Sequence, residues 1–344
     1  MSTIEQQPAT GGRQIELPEP RGPLTERLFH ALTEPPADFD TSLPESCDVF
    51  VDEDLQLALY VINELHYTSI SGVEERWEWA PALASLRAGL EERFEAALRE
   101  LVGPVPDEDL ASVGETLQRL IAEDDGPPLS RFAETRATRA QMIEHVIHRS
   151  AYQLKEADPH SFTIPRLSGR PKAALIEIQF DEYGEGRAER MHATLFATTM
   201  AALGLDPAYG AYLNRLPAIT LATVNLMSLF GLHRRLRGSL VGHLAIFEMT
   251  SSIPNRRYGN VFRRLGFGRD VTAFYDEHVE ADAVHESIAA WDLADALART
   301  EPAVARDIVF GARALLALEA RWAEHLIDCW QHGRSSLLGA TAGD

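Results

Sequence analysis

Along most of this chain apolar residues recur at steps of three and four, in long Ala- and Leu-rich stretches that close on Gly, Pro or Asp. In "EDLQLALYVINELHY" the residues Leu55, Leu59, Ile62 and Leu65 share one helical face, and "APALASLRAGLEERFEAALRELVG" repeats the pattern with a glycine at its end. Five longer stretches between residues 137 and 333 follow the same rule, and no segment alternates as a half-buried strand would. The predicted fold class is therefore all-α. There is no internal repeat and no GxGxxG or GxxxxGK[ST], which removes the usual nucleotide-binding loops.

Pro-rich breaks divide the chain. Residues 1–22, rich in Gly, Pro, Gln and Thr, are expected to be a disordered tail. "TEPPADFDTSLPESCD" interrupts at 33–48 and "AEDDGPPLS" at 122–130, so residues 23–125 form an N-terminal helical segment packing on a core domain at 130–335. With 344 residues, 45% of them hydrophobic, the chain can bury one large core or two modest ones. A formal charge of −20 repels a polyanion such as nucleic acid, and the single dense basic patch, "GLHRRLRGSL", reads as an exposed helix end. Cys47 and Cys329 have no CxxC partner, which argues against a disulfide framework or a zinc–thiolate site and for a reducing, cytoplasmic compartment. No secretory leader pattern and no run of about 18 apolar residues is present, so a membrane location is not expected.

The chemistry lies in a few ligand-type side chains. In "FYDEHVEADAVHESIAA", His278, Asp282 and His285 stand at spacings of four and three and project from one helical stripe. In "RAERMHATLF", Glu189 precedes His192 by three, and Glu182 lies seven residues before Glu189 on the same expected face. Glu156 in "QLKEADPH" adds another carboxylate. Glu248 sits among Leu244, Ala245, Ile246, Phe247 and Met249, where an ionised side chain needs a partner. Carboxylates and imidazoles without a thiolate suit iron or manganese, and helical bundles lined by Glu and Glu-x-x-His are a known frame for dimetal carboxylate sites. The competing reading is a wet, acid-rich helix face, because "DEHVEADAVHE" is crowded with acids.

Residues 139–300 resemble the haem-oxygenase-like diiron oxidases, and more narrowly the bacterial iron-containing redox enzymes. The matching text is "EADPHSFTIPRLSGRPKAALIEIQFDEYGEGRAERMHATLF", "GHLAIFEMTSSIPNRRYGN" and "FYDEHVEADAVHE". The resemblance implies a haem-oxygenase-like helical bundle, here with additional N-terminal helices, and two Fe(II) ions with O2 as co-substrate; oxygen and nitrogen ligands would serve a manganese–iron pair equally. By the same resemblance one iron takes Glu156, His192 and His285, the other takes Glu248, His278 and Asp282, and Glu189 bridges them. Glu182 matches an extra carboxylate found beside the metals in N-oxygenating members and is the candidate catalytic residue. The implied function is oxidation of a small metabolite, an amine or amino-acid derivative, by N-oxygenation, desaturation or C–C cleavage. The partners would be that small molecule and an external electron donor, with a homodimer compatible.

Around this set, Gly184 and Gly186 are read either as a bend in the helix carrying Glu182 and Glu189 or as an aid to close packing. The Glu248 helix is expected to stop at Ile253 and Pro254. Beyond it Arg256 and Arg257 offer a bidentate clamp for a substrate carboxylate or form an exposed pair. Tyr183 and Tyr275 are near enough to line a pocket. Two other readings stand beside the diiron one: a haem-binding or cofactor-free enzyme of the same fold, and a non-catalytic helical scaffold whose acids face water.

Overall fold

The computed structural model describes residues 13–339 except Cys47, and the backbone but not the side chains of residues 281–284. Helix α10 (Ala218–Leu232) is predominantly apolar, and every residue except Leu232 is buried, so it lies in the interior. The helices α2 (Glu53–Glu64), α6 (Arg139–Gln153), α11 (Arg237–Arg264) and α14 (Ala305–Gln331) surround it. Each start follows from local chemistry. Asp52 caps α2 by accepting from the Leu55 amide at 2.9 Å, and Thr138 with Gln141 forms a capping box at the start of α6.

The two longest helices, α11 and α14, cross closely because glycines face each other. A Cβ at Gly242 would lie 1.8 Å from the Ile308 carbonyl oxygen, and one at Gly311 would lie 1.9 Å from that of Ser239. Helix α12 (Arg269–Ser287) packs on α11 and on α9 (His192–Ala202), and runs into a π-helical segment at Ile288–Asp295, against which α8 (Gly169–Glu182) lies. The metal-ligand candidates all fall on this side of the bundle.

The N-terminal helices α1 (Pro23–Leu32), α2 and α3 (Pro81–Val102) and the helix α4 (Val113–Ala122) contribute Leu28, Leu59, Phe94 and Leu117 to the same hydrophobic cluster as α10 and α14. Two expectations change. Residues 13–22 are not a loose tail: Gln14–Ile15 (β1) pairs in parallel with Ser69–Ile70 (β2), Arg13 reaches Asp158 at 2.9 Å, and Arg21 reaches Glu53 at 2.6 Å. Residues 1–12 lie outside the described part. Helix α11 does not end at Pro254 but continues to Arg264. An interior proline costs about 3 kcal/mol, and packing against α5 (Leu129–Arg136), α12 and α14 offsets it.

Candidate metal centre

The centre is assembled by a break in the chain. Helix α8 stops at Glu182, two 3-10 turns follow at Gly184–Gly186 and Ala188–Arg190, and α9 begins at His192. Gly184 has φ +66°, and a Cβ there would sit 2.6 Å from the backbone of Arg190 and Met191, so the turn needs glycine twice over, for conformation and for space. In one continuous helix Glu182 and His192 would be about 15 Å apart along the axis. The reversal instead brings a Glu182 carboxylate oxygen to 2.9 Å from His192 Nδ1.

This corrects the expectation for Glu189. The glycines interrupt the helix rather than bend it, and Glu189 falls in the second turn with its side chain exposed. It shares no face with His192 and belongs to neither ligand group. Glu156 also leaves its expected helix: it lies in the turn after α6, ahead of Ala157, whose left-handed φ of 73° is held by a hydrogen bond from Gln179 Nε2 to the Ala157 carbonyl at 2.9 Å.

Six side chains meet, all at most 6% exposed: Glu156, Glu182, His192, Glu248, His278 and His285. Burial of this set removes the reading of a wet acidic face. Their ligand atoms form two groups, Glu156 with Glu182, His192 and His278, and Glu182 with Glu248 and His285, each with all atoms within 4.8 Å of one another. Glu182 is common to both. His285 therefore sits with Glu248, not with Glu156 and His192 as the resemblance implied. Asp282 lies on α12 between the two histidines, but its side chain is outside the described residues.

The imidazoles are oriented from behind. His278 donates from Nδ1 to the Phe274 carbonyl at 2.8 Å, leaving Nε2 to face Glu156 at 3.6 Å. His285 Nδ1 is 3.1 Å from Glu248, and its Nε2 is 2.9 Å from Asp181. Burial opposes ionisation of Glu182, but His192, then His278 and His285, outweigh it and hold the carboxyl at about 2. Burial likewise opposes a charge on His285, and the hydrogen bond and charge of Glu248, with Asp181 and Glu182, push it up to about 9. Buried Glu182 and Glu248 thus lean on imidazolium charge, which is the electrostatic demand that divalent cations meet. Between Glu156, Glu182, Glu248 and His278 lies a hollow of about 10 Å³. The donor set, its burial and its spacing fit metal ions.

A protein family described as iron-containing redox enzymes matches residues 143–320, just over half of the chain. The chain belongs to that family. Its fold is all-α, and all six buried ligand candidates lie inside the matched segment. A nitrosourea synthase from Streptomyces achromogenes subsp. streptozoticus is 28% identical over 139 residues, covering 40% of this chain and 29% of that enzyme. Less than a third of the relative's length is thus spanned. No helix among the described residues is long and apolar enough to cross a membrane.

Sequence reasoning missed several neighbours of the centre. Asp181 stands beside Glu182 in the sequence, yet spacing gave no reason to prefer it. His160 pairs with His243 through ring nitrogens 3.3 Å apart, both buried, and lines the same hollow; its position four residues after Glu156 was the available signal. Of the two arginines read as a clamp, Arg257 is 3.0 Å from Ser130 Oγ, and Arg256 is exposed on a surface hollow with Arg263 and Arg269.

Proposed function

We propose that this chain is an iron-dependent oxidoreductase that holds two iron ions, with Glu182 between them, and uses O2 to oxidise a nitrogen-bearing small metabolite. The observation that carries the reading is the sharing of Glu182 by both ligand groups, since a carboxylate has two oxygens and is suited to contact two cations at once. Glu156, His192 and His278 would hold one ion, and Glu248 and His285 the other. Bound ferrous ions would supply the electrons that O2 activation requires. The chain's own part is to fix the imidazoles through Phe274 and Asp181, to hold Glu182 ionised, and to keep the centre away from bulk water.

Among N-oxygenation, desaturation and C–C cleavage, N-oxygenation has the most support, from the relative named a nitrosourea synthase. The haem reading has little support at these residues, because the hollow they enclose is far smaller than a macrocycle and His192, His278 and His285 each face a carboxylate. The test is anaerobic Fe(II) titration of metal-free protein, then mixing with O2 under visible absorption. Two irons per chain and an O2-dependent absorption change, both lost in Glu182→Gln, are expected. Wild-type protein that takes up no iron, or a variant that behaves as wild type, would overturn the proposal.

A further inference from the structure

Beside the centre lies a second, larger cavity of about 410 Å³, within the size range of small-molecule sites, roughly 300–1,000 Å³. His278, Phe247 and Ser251 line both this cavity and the metal-site hollow. One layer of side chains therefore separates them. The linker at Asp124–Ser130 lies at the cavity's wall, so the N-terminal segment helps to form it.

The polar groups in its lining are unevenly satisfied. Arg149 grips Glu319 through two hydrogen bonds, at 2.9 and 2.6 Å, and its guanidinium lies 3.9 Å over the Trp322 ring. That charge is already compensated. By contrast both ring nitrogens of His145, the Tyr275 hydroxyl and the Gln153 Oε1 are buried with no hydrogen-bond partner among the described residues, and His145 and Tyr275 are only 3% and 2% exposed. An orphaned buried donor or acceptor typically costs about 1–3 kcal/mol, and a ligand that pairs with it recovers that energy. His145 packs against Tyr258 at 4.4 Å between ring centroids.

We propose that this cavity is the substrate site and that it selects an uncharged polar head that both donates and accepts hydrogen bonds, such as a carboxamide or urea, on a partly apolar molecule. The inference rests on the diiron reading for what happens to the ligand, not for how it binds. Tyr275 donates to the head's acceptor, and Gln153 Oε1 and His145 receive its N–H groups. Phe196, Phe247 and Phe274 cover the apolar part. A carboxylate head would meet Arg149 already closed on Glu319 and would lose its hydration without a free counter-charge, while the carboxylate the lining leaves to an ammonium head, Asp124, is exposed to water.

The experiment is calorimetric titration of the full, metal-free chain with three isosteres: phenylpropanamide, phenylpropanoate and phenylpropylammonium. The amide is expected to bind at least about tenfold more tightly than either ion. Tyr275→Phe and Gln153→Leu should each weaken the amide about three- to tenfold, with Fe(II) stoichiometry unchanged. Equal or tighter binding of an ion, no binding of the amide, or variants that bind it as wild type does would overturn the proposal. Because the probes are read without iron, a chain that binds the amide but no iron would sink only the metal reading, and the reverse result only this one.

Discussion

Lys155, one residue before Glu156, is fully buried, bonded to Glu64, with the Tyr67 ring 4.3 Å from its ammonium. Tyr209 donates to the other Glu64 oxygen at 2.7 Å and meets the Tyr60 hydroxyl at 2.9 Å. Removing one partner of such a pair leaves a buried charge alone, so Lys155→Met should cost about 3–5 kcal/mol in urea denaturation; a loss below about 1 kcal/mol would show that water reaches Glu64. The metal-free centre invites a sharper comparison. Glu182→Gln should lose iron while Glu189→Gln keeps the full stoichiometry, measured by metal analysis after desalting. The residue types of the centre were legible because Glu248 among apolar neighbours and the stripe of His278 and His285 demand partners. The choice of Glu182 over Glu189 was not, because helical spacing compares two residues only while the helix continues.

At the scale of elements, the turn between α8 and α9 is the most vulnerable joint. Gly184→Ala must either force a side chain into the left-handed region or open the turn, since its Cβ has backbone at 2.6 Å. A loss of about 1–3 kcal/mol is expected, together with weaker Fe(II) binding because Glu182 and His192 move apart; thermal melting and iron titration on the same sample would check both. The α11–α14 crossing is less forgiving still, because a Cβ at Gly242 meets a carbonyl oxygen at 1.8 Å. Periodicity made the helices legible. It misplaced the end of α11, because proline is read as a local stop while neighbours on both sides keep the helix going. The π-helical stretch Ile288–Asp295 that follows His285 leaves no mark in spacing, since its apolar residues suit an α-helix as well.

Across the whole molecule, buried neutral histidines tie stability to pH. Burial, with a smaller contribution from Arg149, pushes His145 down to about 3, and burial drives His148 well below its ordinary value, where it bonds Thr220 at 2.7 Å and Ser336 at 3.0 Å. The unfolded chain takes up these protons first, at about pH 6.5. Stability is therefore full above that pH and falls toward the folded value, by up to about 1.4 kcal/mol per pH unit for each such histidine. His145→Leu should show a flatter fall than wild type in urea denaturation between about pH 6.5 and about pH 4; parallel curves would contradict the assignment. The N-terminal helices share the hydrophobic cluster with the family-matched segment, across the Pro-rich linkers that divide the sequence. The central claim, two irons with Glu182 between them, is tested most directly by anomalous scattering at the iron edge from crystals grown anaerobically with Fe(II). Two peaks are predicted, both in contact with Glu182 oxygens, with Glu189 in solvent. One peak, or two peaks joined by Glu189, would contradict it.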